Sequence, residues 1–419
     1  MIDDVGLSRG AEAVVAARLN SRTHWLLLAG LITTTTCVGD TERPRFVVRD
    51  SAGVTIVEND TVASLARERR PDSGATMTLG TPVYRIGAVD GPESLYRVRH
   101  VLLDPDGGVA VVETSTGTIR FFDGRGAPTR EIGGLGEGPG EFRGLYWAAR
   151  VAGDTILAHD AMFPGGLSVF DPEGGFVRSS GLPRVGPGEL AIIGGWRHGE
   201  AVLLRQFSDE SLQPGDVYSY GVYGVTSAGE VGTDLGLWPM GVRRAGFEAF
   251  PSRASFAASG DLFLYTPGDQ FEVRVFDKAG NLQRIARVSR PRVVVTQADI
   301  EAFRTEQWEP MVARAAGTPL EQRIRQFGDP VIADSMPAYT ALLANPAGGF
   351  WARRAGHRGD PTVLWDVFGA DGAYAGALEL PAGFQPMSLT DRHVAGVFRD
   401  ENDVEFVEVY ELMTNQAAP

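Results

Sequence analysis

The chain has 419 residues and a net charge of −14, from 39 basic and 53 acidic side chains. That balance argues against a polyanion such as nucleic acid as the partner. One cysteine in the whole chain, Cys37, excludes internal disulfides, a cysteine zinc site and a Cys–His dyad.

The first feature along the chain is an apolar run of eight, Trp25 to Ile32, preceded by Arg18 and Arg22 and followed by Thr33 to Thr36. It is too short to span a bilayer as a helix and has the proportions of a secretory signal core. Cys37 follows directly. Its placement resembles a bacterial lipoprotein signal, in which that cysteine is lipidated and becomes the new N-terminus. Thr34 and Thr36 stand where such signals prefer an aliphatic and a small residue. Residues 1–37 are therefore expected to direct export, with lipidation at Cys37 and plain secretion as the alternative. The expected location is extracytoplasmic, in the cell envelope, touching membrane only through the lipid.

Arg45 to Val57 comes next, two β-type runs about the turn Asp50-Ser51-Ala52-Gly53. Then two phrases begin to repeat. Gly91-Pro92-Glu93, Gly138-Pro139-Gly140-Glu141 and Gly186-Pro187-Gly188-Glu189 set their glutamates 48 residues apart. Phe122-Asp123-Gly124-Arg125-Gly126 and Phe170-Asp171-Pro172-Glu173-Gly174 keep the same step. Variants of the second phrase end at Gly229, Gly280 and Gly372. Each lies between β-type runs, with Asp and Gly supplying a tight turn. Two markers on one period of this length mean a repeated four-stranded unit.

The period breaks once. Thr296 reads as a helix N-cap, Ile300, Phe303, Trp308 and Met311 approximate one helical face, and Pro319 opens a second short helix reaching Phe327. Residues 296–330 are thus a helical insertion before the fifth unit. After it the C-terminus offers three strand-like runs, Pro386 to Leu389, His393 to Phe398 and Val404 to Leu412, with no fourth. The orphan run 46–57 is expected to pair with 404–412 and complete the last unit. This predicts an all-β fold: a six-bladed β-propeller with four-stranded antiparallel blades over residues 45–412. An N-terminal strand closes the ring, and residues 413–419 form a tail.

The stretch from Arg130 to Phe142, continued by Gly153 to Asp160 and Leu167 to Gly174, resembles the repeats of NHL-type propellers. From Arg49 onward the chain resembles the bacterial six-bladed β-propeller proteins, many of them predicted lipoproteins. An Asn and an Arg commonly follow the Asp that ends the second strand of such repeats; here Asp160 is followed by Ala161 and Met162. The resemblance implies a fold and no particular activity.

Chemistry is sparse. Glu93, Glu141 and Glu189 enter successive blades at equivalent positions and could together hold Ca²⁺. The alternative is that they cap backbone amides or pair with Arg143 and its equivalents. Tyr146, Trp147 and Trp196 are aromatics near inner strands. Of the six histidines, His159 beside Asp160 and His198 beside Trp196 and Arg197 are candidates. No Gly-x-Ser-x-Gly elbow, phosphate loop or dinucleotide fingerprint occurs in context. The expected function is a monomeric binding module for a protein, peptide or glycan, using Glu93, Glu141, Glu189, Arg143, Tyr146, Trp147, His159, Trp196 and Arg197, without a cofactor. The alternative is a hydrolase or lyase with a channel-bound cation.

Overall fold

The computed structural model describes residues 46–59, 76–162, 165–183, 185, 190–196, 199–206 and 211–412. The export segment with Cys37, the tail 413–419, Glu189, Arg197 and His198 lie outside the described residues.

Strands β1 (Phe46–Ser51) and β2 (Val54–Asn59) form a hairpin, followed by the short strands β3 (Thr76–Thr78) and β4 (Tyr84–Ile86). Antiparallel meanders follow. The first is β5 (Val98–Leu103), β6 (Val109–Glu113), β7 (Thr118–Phe122) and β8 (Pro128–Gly133). The second is β9 (Leu145–Arg150), β10 (Ile156–Asp160), β11 (Gly166–Phe170) and β12 (Phe176–Ser180). The third is β13 (Leu190–Trp196), β14 (Glu200–Gln206), β15 (Val217–Thr226) and β16 (Val231–Val242), followed by the two-residue β17 (Glu248–Ala249). The fourth is β18 (Ser255–Gly260), β19 (Leu262–Thr266), β20 (Glu272–Asp277) and β21 (Leu282–Val288). Helices α1 (Gln297–Phe303), α2 (Glu309–Ala315) and α3 (Pro319–Phe327) and the two-residue β22 (Val331–Ile332) come next. The fifth meander is β23 (Tyr339–Ala344), β24 (Phe350–Arg354), β25 (Thr362–Phe368) and β26 (Tyr374–Pro381). The last run is β27 (Phe384–Leu389), β28 (His393–Arg399) and β29 (Glu405–Glu411). The architecture is mostly β and propeller-like.

The repeated Phe-Asp phrase is the turn from the third to the fourth strand. In the first meander Asp123 Oδ1 accepts from the N–H groups of Arg125 and Ala127, both at 2.9 Å. Asp277 does the same for Ala279 and Asn281 in the fourth. The closing glycine takes φ of +80° at Gly126 and +82° at Gly372, where a side chain would be strained.

Between these turns the second and third strands are apolar without alternation. All five residues of β6, Val109-Ala110-Val111-Val112-Glu113, are buried. A sheet covered on both faces requires such a pattern. One face of the first meander packs Ala110, Val112 and Ile119 on Phe142, Leu145 and Ile156 of the second. Its other face packs Val101, Val109 and Val111 on Ala395, Val397 and Val407 of the last. Similar layers separate the second from the third, the third from the fourth, the fourth from the fifth, and the fifth from the last. Inner strands of the third and fourth meanders come close enough to hydrogen-bond in parallel, Gly194 opposite Ala258. A Cβ on Gly194 would lie 2.0 Å from the Ala258 carbonyl oxygen, so only glycine permits that approach.

The N-terminal strands depart from the expected pairing. β29 does not meet residues 46–57; its outer partner is β4, with Glu408 opposite Arg85. Arg85 Nε donates to the buried Glu408 carboxylate at 2.7 Å, and the guanidinium lies over Phe406. β3 pairs in parallel with β26. The β1–β2 hairpin lies on the fourth meander, β2 pairing in parallel with β21. Charge fixes this choice. Glu58 pairs with Arg287 at 3.1 Å, and Arg287 with the buried Glu272 at 2.6 Å. Burial pushes the Glu272 carboxyl up, but Arg274 and Arg287 outweigh it and hold the carboxyl below its ordinary value. Asn59, 4% exposed, ends the hairpin. Its amide donates to Arg287 O at 3.0 Å and Gly372 O at 3.3 Å, and its oxygen accepts from Tyr374 N–H at 2.8 Å. It therefore ties the fourth meander to the fifth.

The helical insertion lies where the sequence places it. Thr296 caps α1 in a capping box with Asp299, and Pro319 opens α3. A π-helical turn, Arg304–Trp308, joins α1 to α2. Phe303 packs on Phe250 and Trp308 on Phe247, with centroids 5.6 and 5.2 Å apart.

Asn59→Ala strands three buried backbone groups and should lower unfolding free energy by about 2–3 kcal/mol in urea titration. Truncation through Asn59 should leave a weakened but folded protein. Truncation through Ile86 should leave the outer edge of β29 unpaired and prevent soluble expression. Equal stability of the second truncation and the parent would refute this account of β4.

Candidate functional site

The first strands of five meanders share an irregularity. Register slips at Arg99 in β5, Tyr146 in β9, Ile193 in β13, Thr340 in β23 and Met387 in β27, leaving each as the extra residue of a β-bulge. Arg99, Tyr146 and Thr340 are exposed, whereas Ile193 and Met387 are half-buried. A bulge re-aims side chains, and at Tyr146 it leaves the ring in the open on a strand whose neighbours are buried on both faces. Tyr146 is 46% exposed, whereas Trp147 is 4% exposed and packs between the second and third meanders.

Several expected contact residues are therefore core residues. Trp147 is one. Trp196 is fully buried between the third and fourth meanders, with Nε1 donating to Leu262 O at 3.1 Å. Both faces of these sheets are covered, so an aromatic in an inner strand fills the layer rather than the mouth. His159 sits opposite Trp147 in β10, 5% exposed. Burial lowers its pKa to about 4 against the opposing pull of Asp160, so it is neutral at pH 7. His100, 6.1 Å from the Trp147 ring, is likewise lowered to about 4 by burial, its bond to the Ala148 backbone opposing. Neither is poised as a base near neutrality.

Two of the three repeated glutamates, Glu93 and Glu141, are among the described residues. Glu141 turns back on its own loop and accepts from Gly138 N–H at 2.8 Å, the backbone-capping alternative. Glu93 is exposed on the loop before β5. No group of three His, Cys, Asp or Glu placed to hold a metal ion occurs among the described residues. Arg143 lies 3.4 Å from Glu137, and its backbone N–H donates to Asp160 Oδ2 at 3.0 Å.

What the structure does gather is a loop cluster on the first two meanders. Ser115 Oγ donates to Tyr96 O at 2.6 Å, and Thr114 Oγ1 to Leu145 O at 2.5 Å. The turn at Gly117 touches the Gly134–Leu135 backbone, and Met162 lies against Gly144. These contacts join the loops around residues 96, 115, 135, 145 and 162. Four large apolar side chains are left on them in the open: Tyr96 at 58%, Leu135 at 60%, Tyr146 at 46% and Met162 at 56% exposure. Two exposed arginines stand beside them. Arg99 holds its guanidinium 5.8 Å from the Tyr146 ring centroid, a cation–π contact of about 0.5–1 kcal/mol at an exposed site. Arg97 has φ +56°, a left-handed conformation uncommon for a residue other than glycine.

The helical insertion covers other loops. It packs on residues 243–254, and Asp299 anchors it to the fifth meander. The Asp299 carboxylate accepts from His357 Nδ1 at 2.9 Å and from Arg358 N–H at 3.2 Å. Burial raises its pKa, but these bonds and those from Thr296 hold it well below the carboxylate range.

Of this cluster the sequence pointed to Tyr146 and Arg143. Tyr96, Arg97, Arg99, Leu135 and Met162 were not singled out. Their one signal was Arg97 and Arg99 flanking Val98, a charged pair at the start of an otherwise apolar inner strand.

No family model matches the chain, and no curated protein matches it in sequence. Solved structures do match. A candidate exported protein from Bacteroides fragilis aligns at TM-score 0.51 and 11% identity over 86% of this chain and 100% of that one. A member of the DUF4221 family from Bacteroides vulgatus aligns at TM-score 0.50 and 10% identity, covering 81% of this chain and 99% of its own. Virginiamycin B lyase from Staphylococcus aureus aligns at TM-score 0.39 and 8% identity, over 78% and 98% of the two chains. At such identities the first two share a fold with this chain, and the third carries no inference.

The buried histidines have a thermodynamic signature. Unfolded His titrates near 6.5 and folded His159 near 4, so the unfolded state binds more protons between these values. Stability should be fully present above pH 6.5 and fall as pH drops towards 4. His159→Leu should reduce that fall by roughly 2–3 kcal/mol in urea titrations at pH 7 and pH 4.5. An unchanged pH slope would place His159 outside the core.

Proposed function

We propose that this chain is an exported six-bladed propeller that acts as a binding module through the loop cluster of its first two meanders. The observation that carries the reading is the open set Tyr96, Leu135, Tyr146 and Met162 beside Arg97 and Arg99. Solvent-exposed aromatic, Met and Arg side chains grouped on bulged strands and loops are what a recognition surface uses. The apolar layers between successive meanders, including the last against the first, favour closure into a ring with β4 as the final strand. Export follows from the sequence before Cys37, and likeness of fold to a candidate exported protein accords with it. The ligand is a protein, peptide or glycan.

The test is a screen of immobilised residues 38–419 against random peptides and a glycan array. Tyr146→Ala with Leu135→Ser should leave circular dichroism unchanged and weaken recovered ligands at least about tenfold. Ligands that bind the double variant equally well would move the site elsewhere.

Anchoring is tested separately. Cys37→Ser should shift the protein from the membrane fraction to the soluble exported fraction. Wild type that is soluble and unacylated by mass spectrometry would leave plain secretion.

A further inference from the structure

The arginines of the loop cluster divide into two kinds. Arg120 is spent inside it, bonded to Glu113 at 2.6 Å and to Ser94 O at 3.1 Å. Arg143 lies beside Glu137. Arg97 and Arg99 are different: both are exposed, and neither has an ion-pair partner among the described residues. They are two residues apart, astride the buried Val98. A protein of net charge −14 thus presents two uncompensated guanidiniums next to its open apolar side chains. On an acidic background, such a spot attracts and orients an anionic group locally while the remaining surface repels it.

The neighbouring side chains decide what bears the anion. A sugar ring stacks on an aromatic but needs polar partners for its hydroxyls. Leu135 and Met162 offer none, and covering them with hydroxyls would lose hydration without return. They suit aliphatic and aromatic side chains, for which Met is an adaptable partner. We propose that the loop cluster binds an acidic peptide segment, with one carboxylate held by Arg97 and Arg99 and adjoining apolar side chains seated on Tyr146, Leu135 and Met162. This rests on the binding-module reading above and assigns that module's ligand class. Arg is suited to the task, since its planar fork accepts a carboxylate in bidentate geometry.

The experiment uses the mature chain and an array of short fluorescein-labelled peptides in matched pairs. In each pair, Asp and Glu alternate with Leu and Phe in one member, and Asn and Gln replace the acids in the other. Oligogalacturonate serves as a competing anionic glycan. Anisotropy at low salt should show acidic members binding at least about tenfold more tightly than their amide partners, an advantage that shrinks as salt rises. Arg97→Gln with Arg99→Gln should bring the acid-to-amide affinity ratio to about one, while Arg→Lys at both positions should keep part of that ratio. Tyr146→Ala should weaken both members of every pair. Equal binding of acid and amide members, an acid preference that survives the double Gln variant, or tighter binding of oligogalacturonate would each overturn the proposal. Amide peptides that bind in a Tyr146-dependent way without acid preference would sink the acidic class alone. Failure of every peptide to bind would sink the binding-module reading with it.

Discussion

Every meander here is apolar on both faces, and none could stand in water alone. β6 is the plainest case, five successive residues without one exposed. Such a sheet is stable only with both faces covered, so each is held by its neighbours. The contact of Val101, Val109 and Val111 with Ala395, Val397 and Val407 meets that demand. The demand also explains why aromatic side chains of inner strands sit between sheets, as Trp147 and Trp196 do. Function is left to the loops and to residues that bulges lift out of register.

The N-terminal strands cover the outer edges of three meanders, while β8, β12 and β16 remain edge strands. β2, β3 and β4 lie on the fourth, fifth and last meanders in turn. Polar chemistry selects two of these places. The chain Glu58, Arg287, Glu272 specifies the first, and the pair Arg85 and Glu408 the third. Asn59 adds specificity that apolar packing lacks, because its three hydrogen bonds exist in one register only.

The repeat was legible because turn chemistry is local. Asp at the head of a turn and Gly at its end do the same work in each copy, so period and hairpins read directly from residues such as Asp123 and Gly126. The insertion was legible for the same reason, from Thr296 and Pro319. The destination of the first hairpin was not. The missing strand of the last meander is real, but its occupant, Tyr84–Ile86, is three residues long and carries no turn signal. The longer run 46–57 looked the better candidate, and only long-range pairs such as Glu58 with Arg287 send it elsewhere. The site suffered likewise. A bulge at Tyr146 decides that Tyr faces out and Trp147 in, and nothing in Leu-Tyr-Trp announces a bulge. Exposure of Leu135 and Met162 depends on how separate loops meet, which no short stretch encodes.

The early strands β2 and β4 also fix an order of events. β2 waits for β21 and β4 for β29, partners separated from them by more than half the chain. These strands leave the ribosome first and find their edges last. Until the final strand is made, the sheets they cover keep open edges and the first meander lacks one neighbour. Contacts so distant in sequence slow folding and lengthen the exposed interval. The chain cannot complete itself before its last residues are available, and it locks when they arrive.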